Sequence, residues 1–112
     1  MKKEVYEIVD LGFSVADAEG ISFNYEKGNI LLVFKDWHEK LITVKFENAL
    51  GFKFQDAEYF NSNLERFDSC HVVLHSQWLK QHEEKGETWE HYKLNFNAGG
   101  IIEVLCSSVV VV

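Results

Sequence analysis

The chain has 112 residues, with 11 basic against 18 acidic side chains for a net charge of −7, and 46 % of it is hydrophobic. About one third is Ile, Leu, Val or Phe, far above the share found in disordered chains, so one globular domain spanning 1–112 is expected. The longest uncharged apolar runs, such as 29–34, fall well short of the ~20 residues a membrane-spanning helix needs, and the scattered lysines form no basic stripe. Neither a membrane nor a nucleic acid is therefore expected as a partner, whereas a negative field favours a basic protein.

Acidic residues follow Met1-Lys2-Lys3 where a secretion signal would be apolar. Cys70 and Cys106 are too few for a disulfide scaffold. Both observations point to a cytoplasmic protein with reduced, buried thiols.

In chain order, Glu4 to Leu11 fits a helical turn through Val5, Ile8 and Val9 or a strand through Tyr6 and Ile8. Ile21 to Glu26 alternates apolar and polar residues, which predicts a half-buried strand. Glu26-Lys27-Gly28-Asn29 is a turn signal, and Ile30 to Lys35 is apolar enough to predict a central strand covered on both faces. Asp36 to Lys40 leads into Leu41 to Glu47, with Ile42, Val44 and Phe46 on one face. Leu50 to Gln55 follows, with Leu50, Phe52 and Phe54 inward. Four consecutive strands with short connections predict an antiparallel meander.

Residues 56–69 read as a loop with a helical turn, and Cys70 to His75 as a strand. Ser76 is a good N-cap for a helix over 76–85, ended by Gly86 and packing Trp78, Leu79 and His82 on the sheet. Trp89 to Phe96 alternates again, with Tyr92, Leu94 and Phe96 opposite His91, Lys93 and Asn95. Asn97 to Gly100 turns the chain into Ile101 to Cys106. Val109 to Val112 completes a strand, or offers an edge for a homodimer by pairing or strand exchange. The expected fold is mainly β. An antiparallel sheet of seven to eight strands curls into a sandwich or partly open barrel, with one short α-helix packed on it.

Chemistry-bearing patterns are sparse. His71 and His75 would lie about 13 Å apart along a strand, and Cys70 points to the opposite face, so no metal site is expected. No nucleophile elbow and no phosphate loop occurs. The expectation is therefore no catalytic residue, no metal and no cofactor. Trp37 is different, standing between Asp36, His38 and Glu39, and Trp89 sits among Glu87, Thr88 and Glu90. Tryptophans rimmed by carboxylates suit a protein-binding surface; the plainer alternative is that each ring folds back as a lid on the core.

Trp78-Leu79-Lys80 and the stretch from His91 to Val104 resemble the C-terminal part of small acidic bacterial domains, some of which are similar to the immunity proteins that accompany secreted bacterial toxins. That resemblance covers the last third of the chain. It implies a cytoplasmic binding protein that sequesters its partner without chemistry. The leading expectation is a non-catalytic interaction domain whose surface includes Asp36, Trp37, His38, Glu39, Glu83, Glu84, Glu87 and Trp89. The alternatives are a small-ligand-binding β-domain lined by phenylalanines and an enzyme of unrecognised type.

Overall fold

In a computed structural model of the protein, which describes residues 3–55, 68–82, 88–96 and 100–112, the period-two alternation becomes nine strands and one short helix. In chain order these are β1 (Val5–Ile8), β2 (Glu19–Glu26), β3 (Asn29–Lys35), β4 (Leu41–Glu47), β5 (Gly51–Gln55), β6 (Ser69–Leu74), α1 (Gln77–Gln81), β7 (Glu90–Phe96), β8 (Gly100–Cys106) and β9 (Ser108–Val111). All strand pairs are antiparallel, in a five-stranded sheet ordered β1-β6-β7-β8-β5 and a four-stranded sheet ordered β2-β3-β4-β9. The sheets pack as a sandwich and do not close into a barrel.

The core is made by alternate residues of both sheets. Leu32, Phe34, Val44 and Phe46 from one meet Leu94, Phe96, Ile102 and Val104 from the other, all at most 1 % exposed. Phe34 meets Phe96 edge-on at 5.6 Å between centroids, and Phe13 from the β1–β2 connection adds a third ring 5.9 Å from Phe34. Cys70 and Cys106 are buried free thiols in this core.

Local signals explain the tightest turn. Lys27 and Gly28 both take positive φ, +50° and +85°, which lets Glu26 pair with Asn29 across a two-residue hairpin. The ambiguous start of the chain is a strand, with Val5 opposite Leu74 and Ile8 opposite His71.

Four expectations need correction. The meander has three strands, not four: β5 leaves β4 and pairs with β8, while β9 takes the place beside β4. Asn48, at φ +53°, turns the corner, and Leu50 N–H then donates to Leu105 O at 2.8 Å. β3 is covered on one face only, since Leu31 and Val33 on the other are half-buried. β2 is exposed along most of its length rather than half-buried, and Phe54, on the core face opposite Ile102 as expected, is still 51 % exposed because β5 is an edge strand. The helix covers five residues, with His82 as its C-cap; its expected Gly86 end and the loop 56–67 lie outside the described residues.

Candidate functional site

The β3–β4 hairpin carries the first group of candidates. Asp36 Oδ1 accepts from the N–H groups of His38 at 3.0 Å and Lys40 at 2.9 Å, and Glu39 N–H donates to Asp36 O at 2.9 Å. Glu39 completes the reversal at φ +62°. Asp36 is thus occupied in holding the loop, in the manner of an Asx turn, and is not a free surface charge. That fastening holds Trp37 out in solvent, 56 % exposed, with its ring 3.5 Å from the His38 ring. Leu41, 68 % exposed, begins the return strand beside it.

Trp89 behaves differently. It is half-buried, and its indole N–H donates to Asn48 O at 2.8 Å, tying the start of β7 to the β4–β5 corner. Asn48 and the Asp36–Glu39 loop flank opposite ends of β4, a strand of seven residues and roughly 20 Å. The two tryptophans therefore do not share one patch. Glu83, Glu84 and Glu87 lie outside the described residues.

A second constellation lies on the outer face of the five-stranded sheet. His71, Lys93, Glu103 and Lys53 are successive cross-strand neighbours on β6, β7, β8 and β5. A sheet face turned from the core would ordinarily meet water, yet His71, His91, Lys93 and Asn95 are all buried. Helix α1 packs here, and Trp78 makes the closest fit: a methyl carbon built on Gly51 would lie 2.5 Å from the indole. The same ring meets His91 edge-on at 5.2 Å and carries Lys53 Nζ 4.1 Å over its face. Glu4 Oε2 accepts from Gln77 N–H at 2.8 Å and fixes the helix start to the β1 end of the sheet.

At the centre of this layer His91 Nδ1 lies 2.6 Å from Ser76 Oγ, and His91 Nε2 lies 2.7 Å from Glu103 Oε1. Burial pushes the Glu103 carboxyl up. The hydrogen bond from His91 and the charges of Lys93, His91 and Lys53 outweigh it, leaving the carboxyl below its usual range. The imidazole thus bridges the Ser76 hydroxyl and the Glu103 carboxylate through its two ring nitrogens. The hydroxyl oxygen in turn accepts from Leu79 N–H at 3.0 Å.

Serine, imidazole and carboxylate in a row are the parts of a nucleophile–base–acid chain. Here the hydroxyl is buried and occupied as the N-cap of α1. The chain works as a fastening that joins helix to sheet with each polar atom satisfied. Sequence reasoning placed His91 on the polar side of its strand but missed the partners, which lie 15 and 12 residues away. The signal available was Glu103, a lone charge inside the apolar run from Ile101 to Leu105.

Burial pushes the thiols of Cys70 and Cys106 up to about 12, with Asp10 and Glu90 adding to the respective shifts. Among the described residues no three His, Cys, Asp or Glu side chains group as metal ligands, and no helix is long and apolar enough to cross a membrane. A cleft of about 220 Å³ on the outer face of the four-stranded sheet is lined by Glu26, Lys27, Asn29, Leu31 and Lys45. No family model, curated protein or solved structure matches the chain.

Proposed function

We propose that this protein is a non-catalytic interaction domain that presents the β3–β4 hairpin tip to a basic protein partner, with Trp37 as the anchor. The observation that carries this reading is the exposed Trp37 ring on a loop held by the Asp36 carboxylate. Tryptophan is among the residues that dominate binding energy at interfaces, and a preformed loop loses little conformational entropy on docking. Leu41 extends the apolar contact, and His38 and Glu39 supply its polar rim. The net charge of −7 supports a basic partner through steering of the encounter. An immunity-type role, in which a cytoplasmic domain neutralises a basic toxin by occupying its surface, is the specific form the resemblance supports.

The test is capture from native cytoplasm at low salt with the wild type and with Trp37→Ala as paired baits. The expected result is a basic protein recovered in stoichiometric amount by the wild type and lost with the variant. Recovery of the same protein in equal amount by both baits, or of none by either, overturns the reading.

A further inference from the structure

The sandwich has four sheet edges among the described residues, formed by β1, β5, β2 and β9. Exposed strand edges invite pairing with other chains, and folded proteins blunt them with charges, bulges or short, interrupted strands. Three of these edges are blunted. β1 carries Glu7 and β5 carries Lys53 at its middle. β2 has Glu19 and Glu26 at its ends and a register shift between Glu19 and Ser22. β9, though only four residues long like β1, carries no charged side chain and no bulge: Ser108 to Val112 contains no charged side chain, glycine or proline, and its register on β4 runs without a break from Ser108 to Val111. Its side chains are also exposed, Val110 by 39 %, Val111 by 42 % and Val112 by 77 %.

The hydrogen-bond phase of β9 decides what fits along it. Val112 N–H donates to Thr43 O at 2.9 Å, so Ser108, Val110 and Val112 aim their main-chain groups at β4. Val109 and Val111 consequently aim theirs away, along the open edge. We propose that this edge pairs with β9 of a second copy of the chain, antiparallel about a two-fold axis at Val110. In that register Val109 exchanges both main-chain hydrogen bonds with Val111 of the second copy, and Val111 does the same with Val109. Val110 faces its own counterpart at the close, non-hydrogen-bonded position, where β-branched pairs pack well. The contact is isologous and closed, and it joins the two four-stranded sheets into one continuous sheet.

The occupant is a second copy because the edge is self-complementary in both hydrogen-bond phase and composition. The valine side chains offer a charged foreign peptide no ion pair to add to the main-chain bonds, and they set no like charges against each other across the axis. Lys45, the nearest cation on the same face, is separated from its symmetry mate by both β9 strands. Pairing over so few residues buries less than a standard interface, so the dimer is concentration-dependent.

Sedimentation velocity on the intact protein, from micromolar to about millimolar concentration, tests this together with amide hydrogen exchange. The wild type is expected to pass from 13.0 kDa toward twice that mass. Val110→Lys, which places two ammonium groups at the axis, and Val111→Pro, which deletes an outward N–H and no bond to β4, are expected to stay monomeric. Exchange supplies a readout without mutation. The amides of Val109 and Val111 slow at least tenfold as concentration rises, while those of Val110 and Val112, already bonded to β4, do not change. A wild type that remains at 13.0 kDa throughout, dimers that survive both substitutions, or Val109 and Val111 amides insensitive to concentration overturns the proposal.

Discussion

His91 on β7 reaches diagonally across the ladder to Glu103 on β8: Nε2 lies 2.7 Å from Oε1, although the residue directly opposite His91 is Leu105. The diagonal leaves Nδ1 free to take the Ser76 hydroxyl at 2.6 Å, so a single imidazole joins the sheet to the start of α1. Removing it takes a partner from a buried hydroxyl and from a half-buried carboxylate. His91→Ala should therefore lower stability by about 2–3 kcal/mol, read as a fall in the denaturation midpoint. An unchanged midpoint would show that the chain fastens nothing.

The same contact sets a pH dependence. The Glu103 carboxyl is held below its ordinary value of 4.5 in the folded protein, so the unfolded chain binds that proton more readily. The resulting stabilisation is fully present above the unfolded value and fades as pH falls through the folded one. Glu103→Gln should remove this contribution. Its stability profile between about pH 5 and pH 3 should then be flatter than that of the wild type, as measured by urea denaturation at each pH.

Gly51 leaves room for the Trp78 indole where the helix meets the sheet. A methyl group at position 51 would come 2.5 Å from the indole, so Gly51→Ala must displace the ring that roofs His91. A loss of about 1–3 kcal/mol is expected, with a change in near-ultraviolet circular dichroism reporting the moved tryptophan. Retention of both stability and spectrum would place Trp78 elsewhere.

Cys70 and Cys106, their thiols pushed up to about 12, should resist a disulfide reagent in the native protein at pH 8 and react fully in guanidinium. Fast reaction of either in the native state would contradict their burial in the core.

Much of this architecture was legible along the chain. Strands β2, β3, β4, β7 and β8 announce themselves by alternation or apolar runs, and β3 and β4 show the physical source most plainly, since one face of each is buried and the other is not. Ser76 as an N-cap was equally plain, since the cap is satisfied within three residues, by Leu79 N–H. What could not be read depends on distant partners. The alternation of Phe52 and Phe54 is the same whether β5 pairs with β4 or β8, and the choice is made at Asn48 and by the backbone bond from Leu50 to Leu105. His91, Lys93 and Asn95 look like a solvated face, yet all three are buried, His91 against Trp78 of α1 and Lys93 with its ammonium over the Tyr6 ring of β1. At the hairpin tip, the exposure of Trp37 was one of two open readings, and the division of labour, in which Asp36 serves the loop and Trp37 faces outward, depends on hydrogen bonds that spacing alone does not show.

The proposed role rests on Trp37 and distinguishes it from Trp89. The most direct measurement is the affinity of the captured partner for the wild type, Trp37→Ala and Trp89→Ala, each checked for its thermal midpoint. Trp37→Ala should weaken binding tenfold or more, about 1.4 kcal/mol, with the midpoint unchanged. Trp89→Ala, which loses the hydrogen bond to Asn48, should lower the midpoint and leave affinity intact. Equal affinities for the wild type and Trp37→Ala, or a loss of binding that follows Trp89 instead, would contradict the account.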